Sequence, residues 1–249
     1  MAKMSVSIFY PCYNDWGTIG SMVLLTIDTA ERLELDYDLT IVDDGSRSKT
    51  LAVLDEIEKQ FPRVRIIRHE KNRGYGGALR TGFASATRDW IFYTDGDAQY
   101  DVRELELLVE KAGPGVDIVQ GYTLQRHDPL HRIIIGRIYH WTVKVLFGIP
   151  VRDTDCDFRL IRRAVFDQIE LVHNSGIICA EMMTKISRAG FRFVEAPVHH
   201  YERTYGKSQF FNFSRLVRTA IGLGKLWLTE VVFYRLRGRR APDGKSAKP

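Results

Sequence analysis

The chain has 249 residues, 45% of them hydrophobic, enough for a globular domain with a sizeable core and an appendage. Its three cysteines, Cys12, Cys156 and Cys179, lack metal-ligand spacing and are too few for a disulfide framework, which suits a reducing, cytoplasmic setting. The net charge of +5 is unevenly placed: residues 203–249 hold eleven Lys/Arg against Glu230 and Asp243, whereas residues 1–202 carry −4, so the tail calls for an acidic partner, either nucleic acid or an anionic membrane surface.

The apolar run Val6–Tyr10 stops at Pro11, too short for a signal-peptide core, and reads as a buried strand. Ile19–Leu33 has helical spacing. Tyr37–Val42 reads as a strand, Leu51–Gln60 as a helix, Val64–Arg68 as a strand, Gly77–Ala86 as a helix, Trp90–Tyr93 as a strand, Val102–Lys111 as a helix and Asp117–Gln120 as a strand. This alternation predicts an α/β domain, its parallel sheet covered by helices on both faces. Beyond Gly121 the pattern changes. Arg126–Phe147 is basic, then amphipathic and helical; Val151–Arg163 is compact and polar. Ile177–Arg188 reads as a helix, Phe191–Val194 as a strand, His199–Gln209 as a polar loop and residues 210–236 as a long helix. Residues 238–249 have the composition of a disordered end.

Polar residues follow four of these strands: Asn14-Asp15, Asp43-Asp44-Gly45-Ser46, His69 to Gly77, and Asp95-Gly-Asp97-Ala-Gln99. Open α/β sheets bind ligands at that end of their strands. Two carboxylates one residue apart, with an amide two further on, suit a clamp of hard oxygen ligands for Mg²⁺ or Mn²⁺ on a diphosphate. The carboxylate of Asp43 or Asp44 can accept from a base or ribose. Gly45 lets the backbone turn close to a ring, and the Gly74–Gly77 run puts helix N-terminal amides where a diphosphate could lie.

Pro11-Cys-Tyr13-Asn14-Asp15, Val42-Asp43-Asp44-Gly45-Ser46, Asn72-Arg73-Gly74-Tyr-Gly76-Gly77-Ala-Leu-Arg80 and Asp95-Gly-Asp97-Ala-Gln99, in this order, resemble the family 2 glycosyltransferases. The resemblance implies the GT-A fold: a Rossmann-like, mainly parallel sheet with helices on both faces, over residues 1–209. It also implies a nucleotide sugar donor, of GDP-mannose or UDP-glucose type. Pro11, Tyr13, Asn14, Asp15, Asp43, Asp44, Gly45, Arg73, Gly77 and Asp95 would hold the nucleotide, and Asp95, Asp97 and Gln99 the Mg²⁺ or Mn²⁺. Val151-Arg-Asp153-Thr-Asp155-Cys-Asp157-Phe158-Arg159 is similar to a segment of dolichyl- and polyprenyl-phosphate sugar synthases, with Cys-Asp-Phe where Ser-Gly-Phe is common. Arg203-Thr-Tyr-Gly206-Lys207-Ser208 is similar to their Arg-x-x-Gly-x-Ser-Lys loop, with Gln209 in place of the final basic residue.

The implied reaction is a single displacement, with inversion, onto polyprenyl or dolichyl phosphate. An anionic acceptor needs cations rather than a base, and Arg126, Arg132, Arg137, Arg203, Lys207 and Ser208 are the expected acceptor-phosphate set. Arg132 and Arg137 lie five apart and share a helix face poorly. Asp97, Asp157, Arg137 and Arg203 are the expected catalytic groups. Asp153, Asp155 and Asp157 share one face if the backbone there is extended, and Asp157 would serve as base for a hydroxyl acceptor, the competing reading. The histidines show no metal-ligand spacing.

In residues 210–249, Phe213, Leu216, Val217, Ala220, Gly224, Trp227, Leu228 and Val231 form an apolar stripe, while Lys225 and Glu230 interrupt any spanning run. An interfacial helix with peripheral attachment to the cytoplasmic membrane face is expected. Packing on the core or in a homo-oligomer is the other use of such a helix. The tail lacks the aromatic–basic alternation of a single-strand platform, which argues against nucleic acid.

Overall fold

The computed structural model describes residues 3–124, 130–203, 205 and 213–233. Seven strands form one sheet: β1 (Ser5–Cys12), β2 (Asp36–Asp43), β3 (Val64–Arg68), β4 (Trp90–Thr94), β5 (Ile118–Thr123), β6 (Phe158–Arg162) and β7 (Phe193–Val198). They lie in the order β3-β2-β1-β4-β6-β5-β7. β1 to β4 are mutually parallel, and β6 runs antiparallel to β4 and β5. The helices are α1 (Ile19–Arg32), α2 (Ser48–Gln60), α3 (Tyr75–Ser85), α4 (Leu105–Val109), α5 (Leu130–Phe147), α6 (Ile177–Arg188) and α7 (Phe213–Trp227).

β1 is buried from Val6 to Cys12, as a central parallel strand covered on both faces must be. Its side chains alternate between two apolar layers. Val6, Ile8 and Tyr10 join Ile19 and Met22 of α1 and Leu54 of α2. Phe9 points the other way, to Leu79 and Phe83 of α3 and Met182 of α6. Gly82 lets α3 approach: a Cβ there would lie 2.2 Å from the Phe9 ring.

The predicted strands and helices of the first half are present, with shifted ends. Val102–Lys111 is a 3₁₀ turn at Val102–Glu104 followed by the short α4. The compact polar reading of Val151–Arg163 is corrected: its second part is β6, in the middle of the sheet. Arg159 masks the strand, because a charge in a five-residue run breaks the apolar pattern. Arg159 is nonetheless fully buried, paired with Asp157 and donating to Gln120 Oε1 at 2.6 Å and to the Thr154 carbonyl at 2.8 Å. The predicted strand at Phe191–Val194 is β7, displaced to Phe193–Val198. It includes Pro197, which an edge strand tolerates. The helix expected over residues 210–236 is α7 followed by a π-helical stretch, Leu228–Phe233. The end expected to be disordered, and residues 126–129 of the predicted Arg126–Phe147 helix, lie outside the described residues.

α7 packs on the same body as the sheet. Leu223 and Leu226 are buried in the α3–α6 layer, Gly222 meets Ile177, and Glu230 pairs with Arg188 at 2.8 Å.

Gly82→Ala tests this packing. The substitution gains about 1 kcal/mol of helix propensity, but the Phe9 ring is stacked on Tyr93 and edge-on to Phe83 and has nowhere to move. Overpacking costs about 1–3 kcal/mol. The expected outcome is a net loss, read as a lowered thermal midpoint; an unchanged or raised midpoint would refute the tight α3–β1 contact.

Candidate active site

Sheet topology gathers the polar segments at one edge. The parallel strands β1, β2 and β4 end there at Cys12, Asp43 and Thr94. β6 runs the other way, with Phe158 opposite Thr94, so residues 153–157 arrive at that edge just before the strand begins. β7 ends at Val198, opposite Thr123, and delivers His199–Arg203 to it as well.

The turn after β4 is built to hold its shape. Gly96 lies so close to the Pro11 carbonyl that a Cβ would come within 2.9 Å. The Gly96 carbonyl accepts from Thr18 Oγ1 at 2.7 Å, and Ala98 takes a positive φ of 58°. Asp95 and Asp97 are thereby fixed at the edge. Asp95 Oδ1 accepts from Tyr75 Oη at 2.7 Å. Its pKa is pushed well up, first by burial and then by the carboxylates of Asp157 and Asp97. Asp97 Oδ1 accepts from the Gln99 amide at 3.1 Å, and its Oδ2 pairs with Arg203. Asp15 is raised to about 6, by burial and by Asp97, against the lowering effects of the Tyr13 amide and Arg203. Hard oxygens crowded together and already facing a cation form a donor set that fits Mg²⁺ or Mn²⁺.

The first two motifs interlock. Asn14, at φ 65°, donates its amide to Ser46 Oγ at 2.9 Å, and its Oδ1 accepts from the Arg47 amide. Asp43 Oδ1 accepts from the Ser46 amide at 3.1 Å. Tyr13 is exposed beside them. Asp44 does not face an open crevice. Its carboxylate lies 2.7 Å from His69 Nδ1 and accepts from the Arg73 and Gly74 amides at 2.8 and 2.9 Å. Gly45, at φ 73°, passes so near Asn72 that a Cβ would lie 2.8 Å from its nitrogen. Asp44 therefore clamps the 69–74 loop from within.

The glycine run also departs from expectation. The Gly74 amide is taken by Asp44 and Asn72, and the Gly76 amide donates to the Asn174 carbonyl at 2.9 Å. The close approach that these glycines permit is to residues 173–175 of the chain itself, where a Cβ on Gly76 would lie 2.3 Å from the His173 carbonyl. Those two amides are therefore not directed at a diphosphate. Gly77 is buried in the first turn of α3, and Arg73 is exposed.

Asp157 comes beside Asp95, but it is engaged. Its Oδ1 receives Arg159, the Tyr93 hydroxyl at 3.2 Å and the Cys179 thiol at 3.2 Å. Burial alone would lower Arg159, yet the neighbouring Tyr93 and Asp157 hold it well above its ordinary pKa. Asp153, Asp155 and Asp157 do not share one face. Asp153 and Asp155 turn toward His140 of α5, and the ligand atoms of these three lie within 4.8 Å of one another. This His–Asp–Asp group was not legible in the histidine spacing, because twelve residues and a change of element separate His140 from Asp153.

Of the acceptor-phosphate set, Arg203 stands at Asp97 and Gln99. Arg132 and Arg137 lie on α5, where only their backbone is described, and Arg126, Lys207 and Ser208 lie outside the described residues. Sequence reading missed Tyr75, although it sits inside the Gly-rich motif. It also missed Tyr201, whose amide donates to the Gln99 carbonyl at 2.8 Å.

Comparison with known proteins bears on the fold and the family. A glucosyl-3-phosphoglycerate synthase from Mycobacterium tuberculosis, solved with Mn²⁺, UDP-glucose and phosphoglyceric acid, superposes with a TM-score of 0.67 over 91% of this chain and 79% of its own, at 17% identity. The same enzyme with Mg²⁺ and UDP gives 0.66 at 16% identity, over 91% and 79% of the two chains. This likeness shows the expected GT-A fold. The undecaprenyl-phosphate 4-deoxy-4-formamido-L-arabinose transferase of Enterobacter sp. (strain 638) is 30% identical over 214 residues, 85% of this chain and 64% of that protein, so the chain spans under two thirds of this relative's length. Residues 7–170 match the model of Glycosyl transferase family 2, and on that match, over most of its length and through every motif at the sheet edge but the Arg203 segment, the chain belongs to glycosyl transferase family 2.

Proposed function

We propose that this protein transfers a sugar from a nucleoside diphosphate sugar to a polyprenyl or dolichyl phosphate at an anionic membrane surface. The observation that carries the choice of acceptor is the engagement of Asp157. With Arg159, Tyr93 and Cys179 all on its Oδ1, it is tied to the buried Arg159 cluster, a structural use that counts against a role as base for a hydroxyl. A lipid phosphate needs no base. One of its oxygens attacks the anomeric carbon, and the bond to the donor diphosphate breaks with its electron pair on the leaving oxygen. The 30% identity to a relative named for undecaprenyl phosphate supports the same acceptor class.

Asp95, Asp97 and Gln99 would hold Mg²⁺ or Mn²⁺, and that ion, when bound, supplies positive charge for the departing diphosphate. Tyr75 orients Asp95. The interlocked turns of Asn14 and Asp43–Ser46 form the nucleoside end, and Asp44 holds the Arg73 loop beside it. Arg203 enters the site from the segment after β7, where a guanidinium fork suits phosphate; Arg126, Arg132, Arg137, Lys207 and Ser208 complete the acceptor side in this reading.

An outward apolar face supports the membrane assignment. Ile138, Trp141 and Val145 of α5 are 63%, 62% and 73% exposed at helical spacing. α7 turns Leu223 and Leu226 inward and Val217 and Ile221 outward, and Leu228, at the start of the π-helical stretch, is also exposed, with Arg218 and Lys225 exposed beside them. Among the described residues no helix is long and apolar enough to cross a membrane, and six Lys/Arg stand against Asp243 in residues 234–249. Attachment through apolar side chains and basic flanks follows.

Three outcomes test this reading. Asp97→Asn is expected to abolish transfer with the fold intact, and polyprenyl phosphate to accept sugar where the free polyprenol does not; activity in the variant, or equal use of the alcohol, would defeat it. Asp44→Asn is expected to weaken donor binding in calorimetry by about 1–3 kcal/mol, through a loosened 69–74 loop; equal affinity would remove Asp44 from the donor site. Full-length protein is expected to sediment with anionic vesicles, less so in high salt, and Trp141→Glu to reduce that binding without lowering the thermal midpoint. Vesicle binding unaffected by Trp141→Glu would move the contact elsewhere.

A further inference from the structure

Two of the three residues assigned to the metal already face a cation. Asp97 uses Oδ1 for the Gln99 amide at 3.1 Å, and its Oδ2 is ion-paired with the Arg203 guanidinium. The same guanidinium reaches Gln99 Oε1 at 3.4 Å. The segment that carries it is fastened on both sides of the site. Tyr100 and His200 form a β-bridge, and Gln99 and Tyr201 exchange two hydrogen bonds, at 2.8 and 3.2 Å. Beyond Arg203, the Tyr205 ring lies 4.4 Å from that of Trp16 and fills the space over Gly17, where a Cβ would come within 2.6 Å.

We propose that Arg203 is a built-in competitor of the divalent cation: it occupies Asp97 while the site holds no metal, and it is displaced from that carboxylate when metal binds. The inference rests on the assignment of Asp95, Asp97 and Gln99 to the metal. Asp15, Asp97 and Asp157 all bear electrostatically on Asp95, and such a group is stabilised by positive charge whether or not a metal is bound. A divalent cation and a guanidinium on one carboxylate repel each other, so each occupancy weakens the other. The displaced guanidinium is left beside the position of the anionic substrates, where it can pair with a diphosphate or with the acceptor phosphate. Metal binding and anion binding at Arg203 are then linked, each favouring the other. Without an anion, Arg203 holds metal affinity down. With a diphosphate present, the guanidinium has another partner and the competition is relieved.

The test is Mn²⁺ binding to the full-length chain without donor, measured by the loss of the free-ion signal in electron paramagnetic resonance. Arg203→Gln and Arg203→Ala are expected to bind Mn²⁺ about tenfold more tightly than the unmodified protein. Arg203→Lys, which keeps the charge, should stay close to the unmodified value. With saturating UDP or GDP the advantage of the uncharged variants should shrink or reverse. Mn²⁺ affinity that is unchanged or weaker in both uncharged variants overturns the exchange. Asp97→Asn separates this failure from failure of the metal assignment itself. If Asp97→Asn loses Mn²⁺ while the Arg203 variants match the unmodified protein, only the exchange is wrong. If Asp97→Asn binds normally and Asp153→Asn does not, the cation belongs to the His140 group and both readings fall.

Discussion

Carboxylates crowded at one edge of a sheet set the terms for the rest of this structure. Asp15, Asp95, Asp97 and Asp157 meet there because three parallel strands end at that edge while an antiparallel strand begins at it. Burial and mutual repulsion raise Asp15 and Asp95, so the fold has to supply compensation. Arg159 does so from inside the sheet and Arg203 from the segment after β7, with Tyr75 and Tyr93 adding hydroxyl donors. A buried guanidinium is costly unless its partners are complete. Those of Arg159 include Asp157, Gln120, the Thr154 carbonyl and Tyr93. The same crowding that the fold must offset is what makes the edge attractive to a hard divalent cation.

The first half of the chain was legible because β1, β4 and the second half of β2 are continuous buried runs and its helices repeat at regular spacing. Each strand end there carries its motif within a few residues, so the Asp95-Gly-Asp97 turn and the Asn14 and Asp43–Ser46 turns could be placed at one edge from the sequence. The later half was less legible for two reasons. β6 carries Arg159 as its second residue and Arg162 as its last, and β7 carries Glu195 and Pro197, so neither shows a clean apolar run. The site also draws on contacts far apart in sequence. Gln99 with Tyr201, Asp97 with Arg203, and Gly76 with residues 173–174 are pairings that no local pattern announces.

Function and stability overlap in the motifs themselves. Asp44 is expected from the sequence at the nucleotide, and in the structure it also ties His69, Asn72 and Gly74 into one loop. The glycines after them admit the chain at residues 173–175 as closely as they would admit a ligand. The helix expected as a membrane appendage behaves in the same double way. α7 gives Leu223 and Leu226 to the core and leaves Val217 and Ile221 outside, so core packing and a surface role are properties of opposite sides of one helix.

The insertion of β6 between β4 and β5 also bears on how the chain assembles during synthesis. Trp90-Ile-Phe-Tyr-Thr finds β1 on one side among residues already made, but its other neighbour begins only at Phe158. Until then the nascent chain presents an apolar strand with one bare edge, the kind of edge that recruits other chains. Arg159 sits in the strand that finally covers it. The residue that pairs with Asp157 thus arrives in the same segment that closes the sheet, and the electrostatic centre of the site matures as this bare edge is sealed.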